Sequence, residues 1–214
     1  MEKFRNEDGK VVVLNLISTI QENKDYLSEV DGLIGDGDHG INMNKGFTSC
    51  GEKLKDVDTN LSESLKILGQ TLLTEIGGSM GPLYGTMFRR MARRCRDEEY
   101  VDAQVFKDMI VAAKDGVSEL GNAKPGDKTL MDVLVPAADK YSEALDNGAG
   151  FTEALQEMKK AAQAGMESTK DMVAKVGRSS RLGERSRGVL DAGAVSCNLL
   201  LQSMADTIIQ LINS

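Results

Sequence analysis

The spacing of apolar residues is the feature that most constrains the fold of this chain. Between residues 151 and 176, apolar side chains recur every three or four positions, and Glu, Gln and Lys occupy the positions between them. Such spacing places the apolar side chains on one face of a helix. No stretch shows a convincing two-residue alternation, the pattern of a half-buried strand. The sequence therefore predicts an all-α fold.

The same periodicity predicts eight amphipathic helices in a chain of 214 residues. A length of this order suits one domain with a sizeable core, so residues 1–214 are expected to form a single domain. We expect the helices to run up and down in an antiparallel bundle or barrel. The predicted helices lie near residues 10–27, 40–55, 61–76, 82–96, 102–120, 129–147, 151–176 and 192–213.

Composition and charge exclude several classes of protein. The formal net charge is −7 and there is no tryptophan, which argues against a general nucleic-acid binder. The N-terminal stretch MEKFRNEDGK is polar and unlike a signal peptide, and the longest apolar run, residues 11–14, is too short to cross a bilayer. Three scattered cysteines suit a reducing compartment. We therefore expect a cytoplasmic protein without nucleic-acid or membrane partners.

Four of the seven joints between the predicted helices are rich in glycine and in polar chemistry, and they alternate with three plain joints that carry charges or caps and little else. The four glycine-rich joints read DGLIGDGDHG, GGSMGP, GNAKPGDKT and GRSSRLGERSRGVLDAGA. Alternate joints of an up-and-down bundle lie at the same end, so all four should meet there, each before a helix N-terminus. Helix N-termini attract anions. The pattern predicts an anion site at one end, although helix caps alone could also explain single joints.

The first glycine-rich joint holds three aspartates, Asp31, Asp36 and Asp38. Carboxylates that lie close together repel one another, and a divalent cation removes that repulsion. Oxygen ligands suit Mg²⁺, Ca²⁺ or Mn²⁺, and Mg²⁺ is commonly held by a few carboxylates together with phosphates. The spacing does not match an EF-hand. We therefore predict a metal site here, the alternative being a solvated turn.

Two further features carry polar chemistry. His39 follows the aspartates and could act as a general base, a donor to phosphate, a metal ligand or a helix cap, and Asn42 lies one helical turn further on. Residues 177–190 form a long segment with four arginines and no helical pattern. Long loops in compact domains are usually functional or disordered, and arginines here could clamp phosphates.

Four blocks of this sequence together resemble the nucleotide-binding L subunit of dihydroxyacetone kinase. The blocks are GDGDHGINMNKGF, GGSMGPLYGTMF, KPGDKTLMDVLVPA and GRSSRLGERSRGVLDAGA. The resemblance covers nearly the whole chain, in the family's order and spacing. It implies an antiparallel barrel of eight helices with ADP or ATP at one end. It also implies two Mg²⁺ ions that bridge the phosphates to Asp31, Asp36 and Asp38, and a lid formed by residues 177–190. The nucleotide-binding positions it implies are His39, Gly40, Ile41, Asn42, Ser79, Met80, Gly121, Leu130, Arg178, Asp191 and Gly193.

Two positions depart from the family pattern. Met80 stands where the family often has a small residue, which would spare a backbone contact to phosphate but not a hydroxyl contact. Ala192 stands where the family often has proline, a change expected to soften the loop while leaving Asp191 and Gly193 in place.

The resemblance also implies the reaction and the partners. A separate K subunit carries dihydroxyacetone or a related short ketose, and the L subunit transfers the γ-phosphoryl group to it from Mg-bound nucleotide. Phosphoryl transfer depends on positioning and charge neutralisation, so we predict no catalytic residue in this chain and no activity without the K partner. A phosphohistidine protein of the sugar phosphotransferase system, the M subunit, is the expected donor to bound ADP. Exchange of ATP stays open, as does a homodimer.

Two other functions remain open from sequence. A nucleotide-sensing regulatory module would keep the binding site and lack a K partner. A Mg²⁺-dependent phosphohydrolase would use the same aspartates and would need a general base, for which His39 is the ready candidate.

Overall fold

The computed structural model describes residues 2–214, in which helices account for nearly all regular structure. The α-helices are α1 (Lys10–Glu22), α2 (Lys24–Ile34), α3 (His39–Leu54), α4 (Leu61–Glu75), α5 (Met80–Cys95), α6 (Ala103–Gly121), α7 (Met131–Asp146), α8 (Phe151–Ser168) and α9 (Ala192–Ile212). Two three-residue strands, β1 (Lys3–Arg5) and β2 (Tyr100–Asp102), pair antiparallel. Short 3₁₀ segments cover Asn6–Gly9, Thr169–Asp171 and Arg178–Ser186. The all-α prediction is confirmed.

The helices close into a ring. From α3 to α9 each helix packs against the next one along the chain, and α9 packs back against α1, which in turn packs against α3. The side chains that fill the ring are almost wholly apolar, with Phe106, Tyr141 and Phe151 in mutual aromatic contact. Burial of these faces is the main stabilising contribution to such a barrel. The predicted up-and-down order is present, since successive helices of the ring are neighbours.

The first predicted helix, 10–27, is in fact two helices. The backbone leaves helical geometry at Asn23, whose side-chain amide donates to the carbonyl of Thr19 at 2.8 Å. A second helix, α2, then continues to Ile34 and lies with α1 along α3. Asp31 is therefore on the last turn of a helix and not in a joint. Asn competes with the helix ladder through its side chain, which explains a break that the apolar pattern did not reveal.

The predicted helix 151–176 ends earlier, at Ser168. The hydroxyl groups of Ser168 and Thr169 donate to the carbonyls of Gly165 and Met166, both at 2.7 Å, and the chain becomes extended at Met172. These hydroxyls replace the regular helical bonds, so the helix stops although the apolar spacing goes on. The other six predicted helices agree with the structure to within two residues.

Two smaller expectations were wrong. The segment 177–190, which showed no helical pattern, contains the 3₁₀ stretch Arg178–Ser186, interrupted at Gly183 where φ is +53°. The strands β1 and β2 were not predicted, because three residues are too few for an alternation to show.

The barrel has two unlike ends, which we call the cavity end and the far end. At the far end, Asn60 begins α4 with a capping box and the Asp102 carboxylate accepts from two amides at the start of α6. There Asn6 also donates to the carbonyls of Cys95 and Glu98, at 2.6 and 2.8 Å. These hydrogen bonds give partners to backbone amides and carbonyls at the helix ends, which have none within the helix itself.

One helix, α9, is long and apolar enough to span a membrane by length and composition alone. In the structure 56% of its most apolar window is buried, where it packs against α1, α7 and α8.

Candidate functional site

A cavity of about 570 Å³ opens at the cavity end, and all four glycine-rich joints contribute to its wall. This volume is within the range of small-molecule sites, about 300–1,000 Å³. The prediction that the four joints meet at one end is confirmed. The predicted site residues on the wall are Asp31, Asp36, Asp38, His39, Asn42, Ser79, Met80, Gly121, Leu130, Arg178, Asp191 and Gly193. Their roles stay predictions.

The three aspartates converge at one edge of this cavity. Each offers a carboxylate oxygen, and these oxygens all lie within 4.8 Å of one another. Asp31 comes from the last turn of α2, whereas Asp36 and Asp38 lie in the turn that leads into α3. Three carboxylates at this separation form an all-oxygen donor set that fits a hard divalent cation. Arg178 of the 177–190 segment makes an ion pair with Asp36.

Two glycines make the aspartate turn feasible. A Cβ atom on Gly35 would lie 2.3 Å from Oδ1 of Asp31, so any side chain there would displace that carboxylate. Gly37 has φ of +75°, a conformation that other residues rarely adopt. The local sequence thus folds so that the carboxylates can face one another.

Two helices that begin at the cavity, α3 and α5, have open starts, whereas α9, which also begins there, is capped by Asp191. Within residues 2–214, α3 and α5 start without a side-chain cap, in contrast to α4 and α6. The amide of His39 donates to the Asp31 carboxylate at 3.3 Å, so the amides of Gly40 and Ile41 in α3, and of Met80 and Gly81 in α5, remain for a ligand. Gly77 and Gly78 precede α5, and a Cβ on either would meet nothing within 4 Å. Gly78 has φ of +70°, so its backbone conformation, and not packing, favours glycine at that position. This arrangement suits an anion at the starts of α3 and α5.

His39 is buried, and its imidazole is hydrogen-bonded inside the protein. Its Nε2 atom lies 2.9 Å from the hydroxyl of Ser196, and that hydroxyl lies 2.6 Å from the hydroxyl of Tyr84. Burial lowers the pKa of His39 from 6.5 to about 4, a shift that the nearby Asp31 carboxylate opposes. The imidazole is therefore neutral at neutral pH and a weak proton acceptor. Of the roles left open from sequence, a hydrogen-bonding role fits best and a general base fits least.

Asp191 also lies on the wall and begins α9. Its carboxylate accepts a hydrogen bond from the amide of Ala194 at 2.8 Å. Burial raises the pKa of Asp191 from 3.8 to about 6, while this hydrogen bond and the Lys128 ammonium oppose the rise. Asp191 thus combines a structural cap with a polar group that faces the cavity.

The wall is divided between polar and apolar parts. Opposite the aspartates, α5, α6 and the start of α7 contribute apolar side chains, among them Leu83, Val117, Leu120 and Leu130. The cavity thus has a carboxylate cluster and helix starts in one part and an apolar surface in another. Such a cavity suits a ligand with a flat apolar part and a polyanionic part.

Two predicted residues, Gly40 and Ile41, are not on the wall. A Cβ on Gly40 would lie 1.9 Å from the carbonyl oxygen of Lys24, so this glycine permits the close packing of α3 on α2. The side chain of Ile41 is 55% exposed. Only the backbone amides of these two residues, in the first turn of α3, remain available to a ligand.

Sequence reasoning did not single out Tyr84 and Lys128, which lie on the wall, or Ser196, which bonds to His39. Tyr84 and Ser196 are buried on inward faces of α5 and α9, where a polar residue among apolar ones was the available signal. Lys128 lies in the third glycine-rich joint and is fully buried. Nothing in the spacing distinguishes it from the exposed lysines around it.

Comparison with known proteins agrees with this geometry. The DAK2 domain model matches residues 33–206. The ADP-binding subunit DhaL of the PEP-dependent dihydroxyacetone kinase of Escherichia coli (strain K12) is 39% identical over 85% of this chain and 87% of its own. The corresponding subunit of PEP-dependent dihydroxyacetone kinase 1 of Listeria innocua is 38% identical over 88% of this chain and 89% of its own.

Among solved structures, the native dihydroxyacetone kinase of C. freundii superposes with a TM-score of 0.72 at 21% identity. The match covers 97% of this chain but only 36% of that enzyme. The same enzyme in complex with AMP-PNP and Mg²⁺ gives a TM-score of 0.70 at 22% identity, covering 93% of this chain and 33% of its own. At such identity the likeness concerns the fold.

Proposed function

Because the chain belongs to the DAK2-domain family, we propose that it is the nucleotide-binding subunit of a dihydroxyacetone kinase. It would hold ADP or ATP with Mg²⁺ in the cavity and transfer the γ-phosphoryl group to a short ketose carried by a separate K subunit. One observation supports this above the others. Three carboxylates within 4.8 Å of one another share a cavity with the uncapped starts of α3 and α5.

The donor set supports a magnesium site. Asp31, Asp36 and Asp38 offer only oxygen ligands, and few enough that phosphate oxygens and water would complete the coordination shell. When bound there, Mg²⁺ would neutralise phosphate charge and orient the phosphates. We propose two ions, as the family resemblance implies.

The chain's own residues would contribute binding and orientation. The amides at the starts of α3 and α5 face the region where phosphates would lie, and Arg178 reaches the same region from the 177–190 segment. The apolar wall formed by Leu83, Val117 and Leu120 would accept the base. His39 stays neutral and offers a hydrogen bond, so we assign no proton transfer to it. Positioning and charge neutralisation are sufficient for phosphoryl transfer.

We further propose that ADP stays bound and is rephosphorylated in place by a phosphohistidine protein. Support comes from the relatives, which are named ADP-binding subunits of PEP-dependent kinases. Subunit names of this kind also favour a K partner for this chain. The homodimer and the cytoplasmic location stay predictions from sequence.

The nucleotide content of the purified protein tests the first part of the proposal. The protein is desalted, denatured and assayed by chromatography for ADP and ATP, with and without prior EDTA. We expect about one ADP per chain, lost after chelation. An empty protein that binds MgATP reversibly would favour ATP exchange over a phosphohistidine donor. The absence of both resident nucleotide and Mg²⁺-dependent binding would contradict the proposal.

Reconstitution tests the second part. The chain is mixed with a K-type subunit, dihydroxyacetone and either MgATP or a phosphohistidine donor system, and phosphorylated ketose is measured. Product should form only when both subunits are present. Turnover by the isolated chain would contradict the division of labour, and nucleotide binding without any turnover would favour a regulatory module.

A further inference from the structure

The two ends of the 177–190 lid are joined over one buried side chain, Lys128. Its ammonium donates to the carbonyl oxygens of Thr169 at 2.7 Å, Met172 at 3.3 Å and Val189 at 2.6 Å. Thr169 and Met172 precede the lid and Val189 lies at its end. A single ammonium thus spans the point where the chain leaves α8 and the point where it approaches α9.

Lys128 occupies a demanding position. Its side chain is fully buried and its φ is +63°, in the left-handed region that is costly for a residue with a Cβ. Within residues 2–214, no carboxylate lies within ion-pair distance of this ammonium. Burial lowers the pKa of Lys128, the charge of Arg187 acts in the same direction, and the nearby carboxylates of Asp191 and Asp171 oppose the shift. An ammonium is tolerated in such a place only when its protons are well bonded, here by three carbonyls.

Other contacts join the same two ends. The amide of Gly188 donates to the carbonyl of Lys170 at 2.7 Å, and the amide of Asp191 donates to the hydroxyl of Thr169 at 3.1 Å. Lys128 differs because its single ammonium bonds to carbonyls of both ends at once. From the joined ends the lid extends to Arg178, which contacts Asp36 of the carboxylate cluster.

We propose that Lys128 is a positioning residue that fixes both ends of the lid, holds it over the carboxylate side of the cavity and thereby sets nucleotide affinity. The anchoring of the lid follows from contacts within this chain, whereas the effect on nucleotide rests on the proposed function. Lys128 acts through the lid carbonyls, so its loss should open the lid while the barrel stays folded.

Proteolysis of the protein in EDTA and without nucleotide tests the anchoring. An arginine-specific protease cuts the lid after Arg178, Arg181, Arg185 or Arg187, and Arg89 and Arg93 on α5 report opening of the barrel. We expect lid cleavage in Lys128→Met to be at least about tenfold faster than in the wild type, with α5 uncut, because hydrogen bonds to a charged group are lost. Lys170→Met removes an exposed lysine at the lid's root and should leave the rate unchanged.

Lys128→Arg keeps the charge but cannot place one nitrogen among three carbonyls, so its cleavage rate should lie between those of the wild type and Lys128→Met. Unchanged lid cleavage in a folded Lys128→Met would overturn the proposal. If Lys128→Met does not fold, two other measurements test the anchor: the lid cleavage rate of Lys128→Arg, and hydrogen exchange of the Gly188 amide in the wild type. The anchor predicts slow exchange at Gly188, and exchange as fast as at exposed lid residues would overturn it.

Calorimetric titration with MgADP tests the consequence for nucleotide. We expect Lys128→Met to bind about tenfold more weakly and Lys170→Met to bind as the wild type does. Fast lid cleavage together with unchanged MgADP affinity would overturn the proposed effect on nucleotide. If Lys128→Met shows fast lid cleavage but the wild type binds no MgADP, the anchoring role of Lys128 is supported and the proposed function is contradicted.

Discussion

The Nε2 atom of His39 and the Oγ atom of Ser196 lie 2.9 Å apart, although 157 positions separate the two residues in the chain. The same hydroxyl lies 2.6 Å from the hydroxyl of Tyr84 and 3.1 Å from the carbonyl oxygen of Gly193. The Gly193 carbonyl can only accept, so when the serine hydroxyl donates its one proton there, it accepts from the imidazole and from the tyrosine hydroxyl. Through this atom the first turns of α3, α5 and α9 are fixed relative to one another beneath the cavity.

Ser196→Ala should destabilise the protein by about 1–3 kcal/mol, because it removes the partner of the buried His39 Nε2 atom and leaves the Tyr84 hydroxyl with the Gly193 carbonyl alone, at 3.2 Å. Urea unfolding measures the change. Ser142→Ala is the matched control, since that hydroxyl bonds only to the carbonyl of Ala138 in its own helix and should matter little. Equal losses in the two variants would mean that the buried network contributes nothing beyond a local bond.

His39 and Asp191 should make opposite contributions to the pH dependence of stability. The folded pKa of His39 is about 4 against 6.5 when unfolded, so the unfolded chain binds the extra proton between these values and stability is lost as pH falls. The folded pKa of Asp191 is about 6 against 3.8 when unfolded, so the folded chain keeps the extra proton and stability is lost as pH rises. Between pH 4 and 6 the two contributions largely cancel.

Single substitutions separate these contributions. Relative to the wild type, His39→Gln should lose about 3 kcal/mol as pH rises from 4 to 6, and Asp191→Asn should lose a similar amount as pH falls over that range. Urea unfolding at several pH values measures the stability of both variants. EDTA is present so that no metal perturbs the site. The double variant should follow the wild-type profile. A pH-independent difference for either single variant would contradict the shifted pKa of that residue.

Asp38→Asn should abolish stabilisation by Mg²⁺ and ADP while leaving the ligand-free protein folded. Asp38 precedes α3 but its side chain makes no capping bond, so its loss removes a carboxylate of the cluster and no structural contact. With ligand at a hundredfold its dissociation constant, the wild type should gain about 2.7 kcal/mol. Thermal unfolding with and without Mg²⁺ and ADP measures this gain. Asp25→Asn, on α2 but outside the cluster, should keep it.

Gly35→Ala should weaken Mg²⁺-dependent nucleotide binding at least about tenfold, because the new Cβ would lie 2.3 Å from Oδ1 of Asp31 and would displace that carboxylate. Gly51→Ala provides the contrast. Its Cβ would meet Ile17 at 3.6 Å, an ordinary contact within helix α3, so it should stabilise the protein by about 0.5–1 kcal/mol. Calorimetry and urea unfolding measure the two effects. Full affinity in Gly35→Ala would show that the Asp31 carboxylate is not needed in its present place.

Much of the architecture could be predicted because it depends on local patterns. Apolar spacing located six helices to within two residues, and the alternation of plain and glycine-rich joints was enough to predict which joints share an end. The exceptions have side-chain causes. Asn23 breaks a helix through its own amide, and the hydroxyls of Ser168 and Thr169 end another while the apolar pattern continues.

The site was less predictable where it depends on distant contacts. The aspartates stand out because they are close in sequence, but the partner of His39 comes from the opposite end of the chain. The role of Lys128 depends on backbone carbonyls 41 to 61 positions away. Every residue has a backbone carbonyl, so the sequence cannot indicate which ones bind this ammonium. Gly40 has a second requirement that the sequence does not show, since its lack of a side chain permits the close packing of α3 on α2.

Both ends of the described chain lie at the far end of the barrel. Strand β1 starts at Lys3 and pairs with β2, which leads into α6, and α9 runs from the cavity to Ile212. The 21 residues of α9 correspond to about 30 Å. A fluorophore or a biotin attached at either terminus would therefore stay clear of the cavity mouth. The protein could be immobilised on a sensor surface by its termini with the mouth directed toward solution, so that arrival of a partner subunit could be followed in real time.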